Sequence, residues 1–216
     1  MRAKIKIVID AGMIILVLLQ MAYHLVGDSL HGWLGIILFV LLILHNILDR
    51  KWYSGLFKGK YTPIRFFHTA INMLLLASFL CVAVSAVYLS TTLSTLFNLK
   101  LALLGRRMHM IFTTWSFILM SAHVGLHWSR KIGAIKKQFQ GVQYLFWIMI
   151  ILLSGYGVYA FISRGLLQRM FFLSEYVFFD YEESFIFIII DYIAILCLFT
   201  YFTYGVSKLI VFEDSI

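Results

Sequence analysis

The chain has 216 residues, of which 62% are hydrophobic, 13% are charged and one is proline, and its mean hydropathy is +0.92. Soluble domains carry about 45–50% apolar residues, so a water-soluble globule is excluded and lipid is the solvent for most of the surface. The net charge of +8 does not point to nucleic acid, because the basic residues fall between apolar runs and not on one accessible face.

The opening stretch, MRAKIKIVIDAGMIILVLLQ, has the basic and apolar regions of a secretory signal but no small-residue cleavage site after them, and reads as a retained first helix. Taking about 20 residues per crossing, apolar runs follow at 7–26, 32–50, 66–90, 108–128, 143–163 and 184–206. These six spans are continuous and not alternating. They must therefore be helices, since hydrocarbon offers backbone N–H and C=O groups no partner. The expected fold class is an all-α membrane protein with six transmembrane helices. The first four (1–135) form a four-helix bundle, and 136–216 adds two further helices to the same membrane domain. Cys81 and Cys197 lie in apolar runs without CxxC or CxxCH, which reads as two buried structural thiols.

Charge placement orients the spans. With the N-terminus inside, the cytoplasmic ends hold Arg2, Lys4, Lys6, Arg50, Lys51, Lys58, Lys60, Arg65, Arg130, Lys131, Lys136, Lys137 and Lys208. The outer ends hold Lys100, Arg106, Arg107, Arg164 and Arg169, together with the acidic Glu175, Asp180, Glu182 and Glu183. The positive-inside rule then puts both termini in the cytoplasm. The connections near 91–107 and 164–183 are rich in Leu, Phe and Tyr, as segments lying on the outer membrane surface would be.

Seven histidines in so apolar a chain are the most informative feature, because ionisable groups at membrane depth are costly and mark ligands, relays or substrate paths. His31 and His45 share the second span, and His109 and His123 the fourth, each pair separated by the same interval. Fourteen residues of helix cover about 21 Å and end about 40° short of four turns, so each helix presents two imidazoles on nearly one face at two depths. Both helices run from outside to inside. His31 and His109 thus share the outer level, and His45 and His123 the inner one. A haem takes two axial nitrogens from opposite sides, and these two levels fit two stacked b-type haems. Interhelical hydrogen bonding by core histidines is the bland alternative. A zinc or di-iron site would need ligands converging within a few ångströms, often with carboxylates, which the fourteen-residue interval opposes.

The same interval resembles that of the cytochrome b of quinol-oxidising bc complexes. The stretches LHGWLGIILFVLLILHNILDRKWYSGLFKGKYTP and RRMHMIFTTWSFILMSAHVGLHWSR more closely resemble a bacterial membrane family catalogued as domain of unknown function 4405, over about residues 5–135. That resemblance implies a b-type cytochrome of the bacterial cytoplasmic membrane that accompanies extracytosolic flavin-binding proteins.

Other candidates surround the pairs. His127 follows His123 by four residues on the same face, and either can be the inner ligand, with depth favouring His123. His68 and His24 sit at span ends, where histidine is inexpensive. Their functional readings are a propionate contact, a quinone hydrogen bond or a further haem ligand. Gly35 and Gly125 lie close to the histidines and would let a flat macrocycle approach, or would equally serve small-residue helix packing. Arg106 and Arg107 precede His109 against the charge bias, which suggests propionate anchoring. Asp191, inside the sixth span, is a candidate proton carrier for a quinone, and Asp10 is left unassigned. Phe39 and Trp115 could pack on haem or face lipid.

The resulting expectation is a protein with two haem b and a quinone site, an electron-transfer subunit without a catalytic nucleophile of its own. It would carry electrons across the membrane between the quinone pool and an extracytosolic flavin or metal-containing partner. A self-contained reductase of a ferric or other outer-face acceptor would need a donor supplied from elsewhere, since no dinucleotide fingerprint is present. A haem or metal transporter would favour exchangeable ligands over paired internal ones.

Overall fold

The computed structural model describes residues 2–90, 102–138, 143–173 and 182–213. The described residues are helical almost throughout and contain no strand. In chain order the helices are α1 (Arg2–Met21), α2 (Tyr23–Leu48), α3 (Arg50–Gly55), α4 (Pro63–Leu89), α5 (Ala102–Gln138), α6 (Gln143–Ser163), α7 (Leu166–Met170) and α8 (Phe185–Glu213). The connection over 91–101 and most of the one near 164–183 lie outside the described residues, and with them Lys100, Glu175 and Asp180.

Three stretches are long and apolar enough to cross a membrane: Tyr23–Leu48, Pro63–Leu89 and Phe185–Phe212. Trp147–Ser163 is a shorter apolar helix. This is a helical membrane protein. The first and fourth expected spans fall short of that standard for a physical reason. Lys4, Lys6 and Asp10 put charge into α1, while three histidines and a run of Ser and Thr lower the hydropathy of α5.

The first two expected spans meet differently from their apolar runs. The helical path from Tyr23 to Leu48 contains a break at Gly27, whose φ of 71° and ψ of 168° belong to backbone that residues with a Cβ rarely adopt. His31 and His45 both lie beyond the break, so the interval between them is uninterrupted helix. The same holds for His109 and His123 within α5.

Helix packing divides the chain into two compact units. The first gathers α1, α2 and α3 with the start of α8 as far as Tyr192; the second gathers α4 to α7 with α8 from Ile193 onward.

In the first unit α1 and α2 lie antiparallel, and their register can be followed along the pair. Lys6 Nζ meets Asp49 Oδ1 at 2.5 Å, Asp10 meets His45, and Gly12 faces Leu41. At the far end Gly35 lies under Gln20, whose Nε2 stands 2.9 Å from where a Cβ would be.

In the second unit α4 and α5 also lie antiparallel. Thr62 caps α4 by accepting from the Arg65 backbone N–H, and Pro63 occupies the first turn, where its missing N–H costs nothing. Ile71 of α4 packs with Ala122 and Leu126 of α5, and Phe67 lies against them. Near the opposite end Gly105 admits the Tyr88 side chain, whose Cβ lies 2.6 Å from where a Cβ on Gly105 would stand. α8 joins through small residues. Gly125 takes the Thr200 carbonyl oxygen at 2.5 Å from its would-be Cβ, and Thr200 Oγ1 donates to the Ser121 carbonyl at 3.0 Å. Gly157 of α6 does the same for the Ala194 backbone, with the carbonyl carbon at 2.8 Å.

Gly157 and Gly155 form a matched pair for testing this packing, since nothing lies within 4 Å of a Cβ at Gly155. Gly157→Ala should destabilise by about 1–3 kcal/mol through overpacking against backbone that cannot move aside. Gly155→Ala should be neutral, or stabilising by up to about 1 kcal/mol through helix propensity. Thermal unfolding of the two variants in one detergent separates these effects.

Candidate functional site

Two of the four expected ligands face α4 from α5. His123 Nδ1 lies 2.7 Å from Asn72 Oδ1, and His109 Nδ1 lies 3.0 Å from Ser85 Oγ. Asn72 and Ser85 are thirteen residues apart on α4 and meet histidines fourteen apart on α5, as antiparallel helices packed along their length require. In the first unit His45 Nδ1 lies 2.9 Å from Asp10 Oδ1. Each of these three imidazoles is thus tied by the same nitrogen to a polar group on the neighbouring helix.

The chemistry of the partners assigns the tautomer. A carboxylate oxygen and an amide Oδ1 are acceptors, so Asp10 and Asn72 receive the Nδ1 proton. Ser85 Oγ donates its own hydrogen to the Val82 carbonyl at 2.7 Å and therefore accepts from His109. All three rings carry their proton on Nδ1, which puts the lone pair on Nε2. That is the arrangement of a metal-ligating histidine whose second nitrogen is held by an oriented partner. These residues fit the axial-ligand role expected of them.

His45 has a more charged setting than the other two. Asp49 Oδ2 lies 3.6 Å from His45 Nε2, one helical turn along α2, while Lys6 holds the other Asp49 oxygen. Burial and then the Asp49 charge raise the phenol of nearby Tyr53 above its ordinary value, and Tyr53 donates to Asn46 Oδ1. An iron at His45 Nε2 would need Asp49 to swing outward onto Lys6, a motion open to a carboxylate already paired on that side.

His31 differs again. It is half-buried, and its ring packs edge-on against Tyr23, with centroids 5.0 Å apart and planes at 86°. Tyr23 in turn donates to Asp28, so the Gly27 break brings an aromatic, a carboxylate and an imidazole together at one end of α2.

His123 and His127 also pack edge to face, with centroids 4.8 Å apart. Of the two, His123 is the one tied across to α4 by Asn72. His68 lies half-buried in the second turn of α4, and His24 half-buried just before the Gly27 break.

Several neighbours expected around a macrocycle are engaged by the protein itself. Gly125 serves the close approach of α8, so small-residue packing accounts for it and the macrocycle reading does not. The space above Gly35 is taken by the flexible end of Gln20, which can move. Arg107 lays its guanidinium over the Phe172 ring at 4.9 Å, whereas Arg106 is exposed. Trp115 donates to the Met170 carbonyl at 3.2 Å and packs edge-on against Phe171, while Phe39 is exposed. Asp191 is buried, Cys81 and Cys197 are free thiols, and among the described residues no three His, Cys, Asp or Glu side chains gather as a metal cluster.

No protein-family model, no curated protein and no solved structure matches the chain.

The partners Asn72 and Ser85 escaped the sequence reading, although each is a polar residue in an apolar run, a signal that lipid-buried helices rarely carry without a use. Asp10, left without a role by the sequence, is the partner of His45. Asn72→Leu would remove the acceptor of the His123 N–H. It should lower stability by about 0.6 kcal/mol, and by no more than about 1.7 kcal/mol, the range of interhelical hydrogen bonds in membranes. Reversible unfolding in mixed micelles measures this difference.

Proposed function

We propose that this protein is a di-haem b-type cytochrome of a bacterial cytoplasmic membrane, carrying electrons between the quinone pool and an extracytosolic flavin or metal-containing partner. The observation that carries the reading is the repeated histidine interval on α2 and α5, together with the Nδ1 hydrogen bond made by His45, His109 and His123 alike. Equal spacing alone could arise from two unrelated core histidines per helix. A shared tautomer is what ligation needs and what chance polar contacts have no reason to repeat.

In this reading α1, α2, α4, α5, α6 and α8 are six crossings with both termini inside. The antiparallel registers of α1 with α2 and of α4 with α5 support it. So does the α5–α8 pairing, in which Ser121 and Gly125 meet Thr200 and then Thr203 in parallel order. His31 and His109 are assigned to the outer haem, and His45 and His123 to the inner one. The resemblance of the histidine-bearing stretches to a family of b-type membrane cytochromes points the same way.

When bound, a haem supplies one-electron exchange at iron, and the remaining work belongs to the chain. Asp10, Ser85 and Asn72 hold three rings in fixed orientation and keep Nε2 unprotonated. The apolar faces of α2, α4 and α5 exclude water from around them. Arg106, Arg107 and the basic residues at the inner helix ends offer countercharge to propionates, and Asp191 is a candidate for proton exchange with a quinone.

Purified protein should show two low-spin b haems per chain in a reduced-minus-oxidised spectrum with haem quantified. A chain with no haem, or with one loosely held, would sink the proposal. His45→Ala should lose one haem while His68→Ala keeps both. His123→Ala should lose one and His127→Ala none, and the opposite result would make His127 the ligand.

A further inference from the structure

The hydrogen-bond partners of the histidines are not chemically equal, and the difference follows the two haems. His45 gives its Nδ1 proton to a carboxylate, Asp10 Oδ1 at 2.9 Å, and has a second carboxylate, Asp49, 3.6 Å from its other nitrogen. His109 gives its proton to a hydroxyl, Ser85 Oγ at 3.0 Å, and His123 to an amide oxygen, Asn72 Oδ1 at 2.7 Å. The basic residues show the reverse bias. Arg106 and Arg107 precede His109 by less than one turn of α5, while Lys6, the cation nearest His45, is already paired with Asp49 at 2.5 Å.

A proton shared with a carboxylate gives an imidazole more anionic character, making it a stronger donor to iron than one bonded to a neutral oxygen. A stronger, more negative donor stabilises the ferric state over the ferrous one, and a fixed negative charge close to iron acts in the same sense. Cations beside the other centre favour its ferrous state. Ligand basicity and local charge therefore push the two centres apart in potential, in the same direction.

We propose that Asp10, through its hydrogen bond to His45 Nδ1, holds the haem ligated by His45 at a lower reduction potential than the haem ligated by His109. This rests on the di-haem reading and gives Asp10 a positioning and tuning role that neither spacing nor topology assigns. The order favours transfer from the cytoplasmic level to the outer one, with one electron leaving the first iron and arriving at the second and no bond made or broken. It makes the chain an exporter of electrons to an outer acceptor, with a quinol or other reductant serving the inner level.

The test is a potentiometric titration of the purified protein followed at the haem absorbance, with haem counted per chain in each variant. The wild type should hold two haems with two separable midpoints. In Asp10→Asn, with both haems retained, the lower midpoint should rise by at least about tenfold in the reduction equilibrium, about 59 mV for one electron, while the upper one stays in place. Asp10→Glu, which keeps a carboxylate, should leave both midpoints at the wild-type values, and Asp49→Asn should move the lower one less than Asp10→Asn does.

Two haems with an unmoved lower midpoint in Asp10→Asn would overturn the inference. An equal shift of both midpoints, or a shift in Asp49→Asn as large as that in Asp10→Asn, would do the same. If Asp10→Asn loses a haem, Asp10→Glu decides. Wild-type content and midpoints there uphold the role of the carboxylate, and the same loss overturns it. A wild-type chain that binds no haem overturns the di-haem reading itself, an outcome distinct from two haems whose potentials ignore Asp10.

Discussion

Hydrocarbon cannot accept a hydrogen bond, so each N–H that a transmembrane helix carries inward must find its partner on the protein. For backbone groups the helix itself meets this demand. For an imidazole it does not, and the consequence is visible at His45, His109 and His123, each of which reaches a neighbouring helix for an oxygen. The same bonds that satisfy these rings also fix their rotation and the position of their lone pair. Satisfying a polar group and preparing a ligand are here one interaction.

That constraint ties the fold to the candidate site. Antiparallel packing of α4 on α5 aligns Asn72 with His123 and Ser85 with His109 because the two helices keep register over more than three turns. The contact of Ile71 with Ala122 and Leu126 holds that register beside the inner histidine. At the outer end the missing side chain of Gly105 lets α4 approach closely beside Ser85. In the first unit the Lys6–Asp49 and Asp10–His45 contacts are successive rungs of one α1–α2 ladder. A substitution that slid either pair of helices by one turn would separate several polar partners at once.

The use of glycine shows where small residues serve helices and where they leave room. Gly125 and Gly157 are spent on backbone approaches by α8, a use well known for small residues between lipid-buried helices. Gly35 lies under a side chain that can swing away, and Gly27 supplies a conformation and no space at all. Proximity of a glycine to a histidine in sequence does not separate these cases. In each, what lies opposite belongs to a distant part of the chain.

Composition and apolar run length by themselves determined that this is a helical membrane protein, since no other structure satisfies so apolar a backbone in lipid. The histidine interval was equally legible, because helical period is a local property and converts residue number directly into height and angle. Three crossings stand out in the structure by length and apolarity, while α1 and α5 carry the charge and polarity that weaken that signal. The identities of the partners, Asp10 for His45, Ser85 for His109 and Asn72 for His123, were decided by tertiary structure alone. They depend on which helices pack and in what register, and a register is set by side-chain contacts between distant segments that no single stretch of sequence contains.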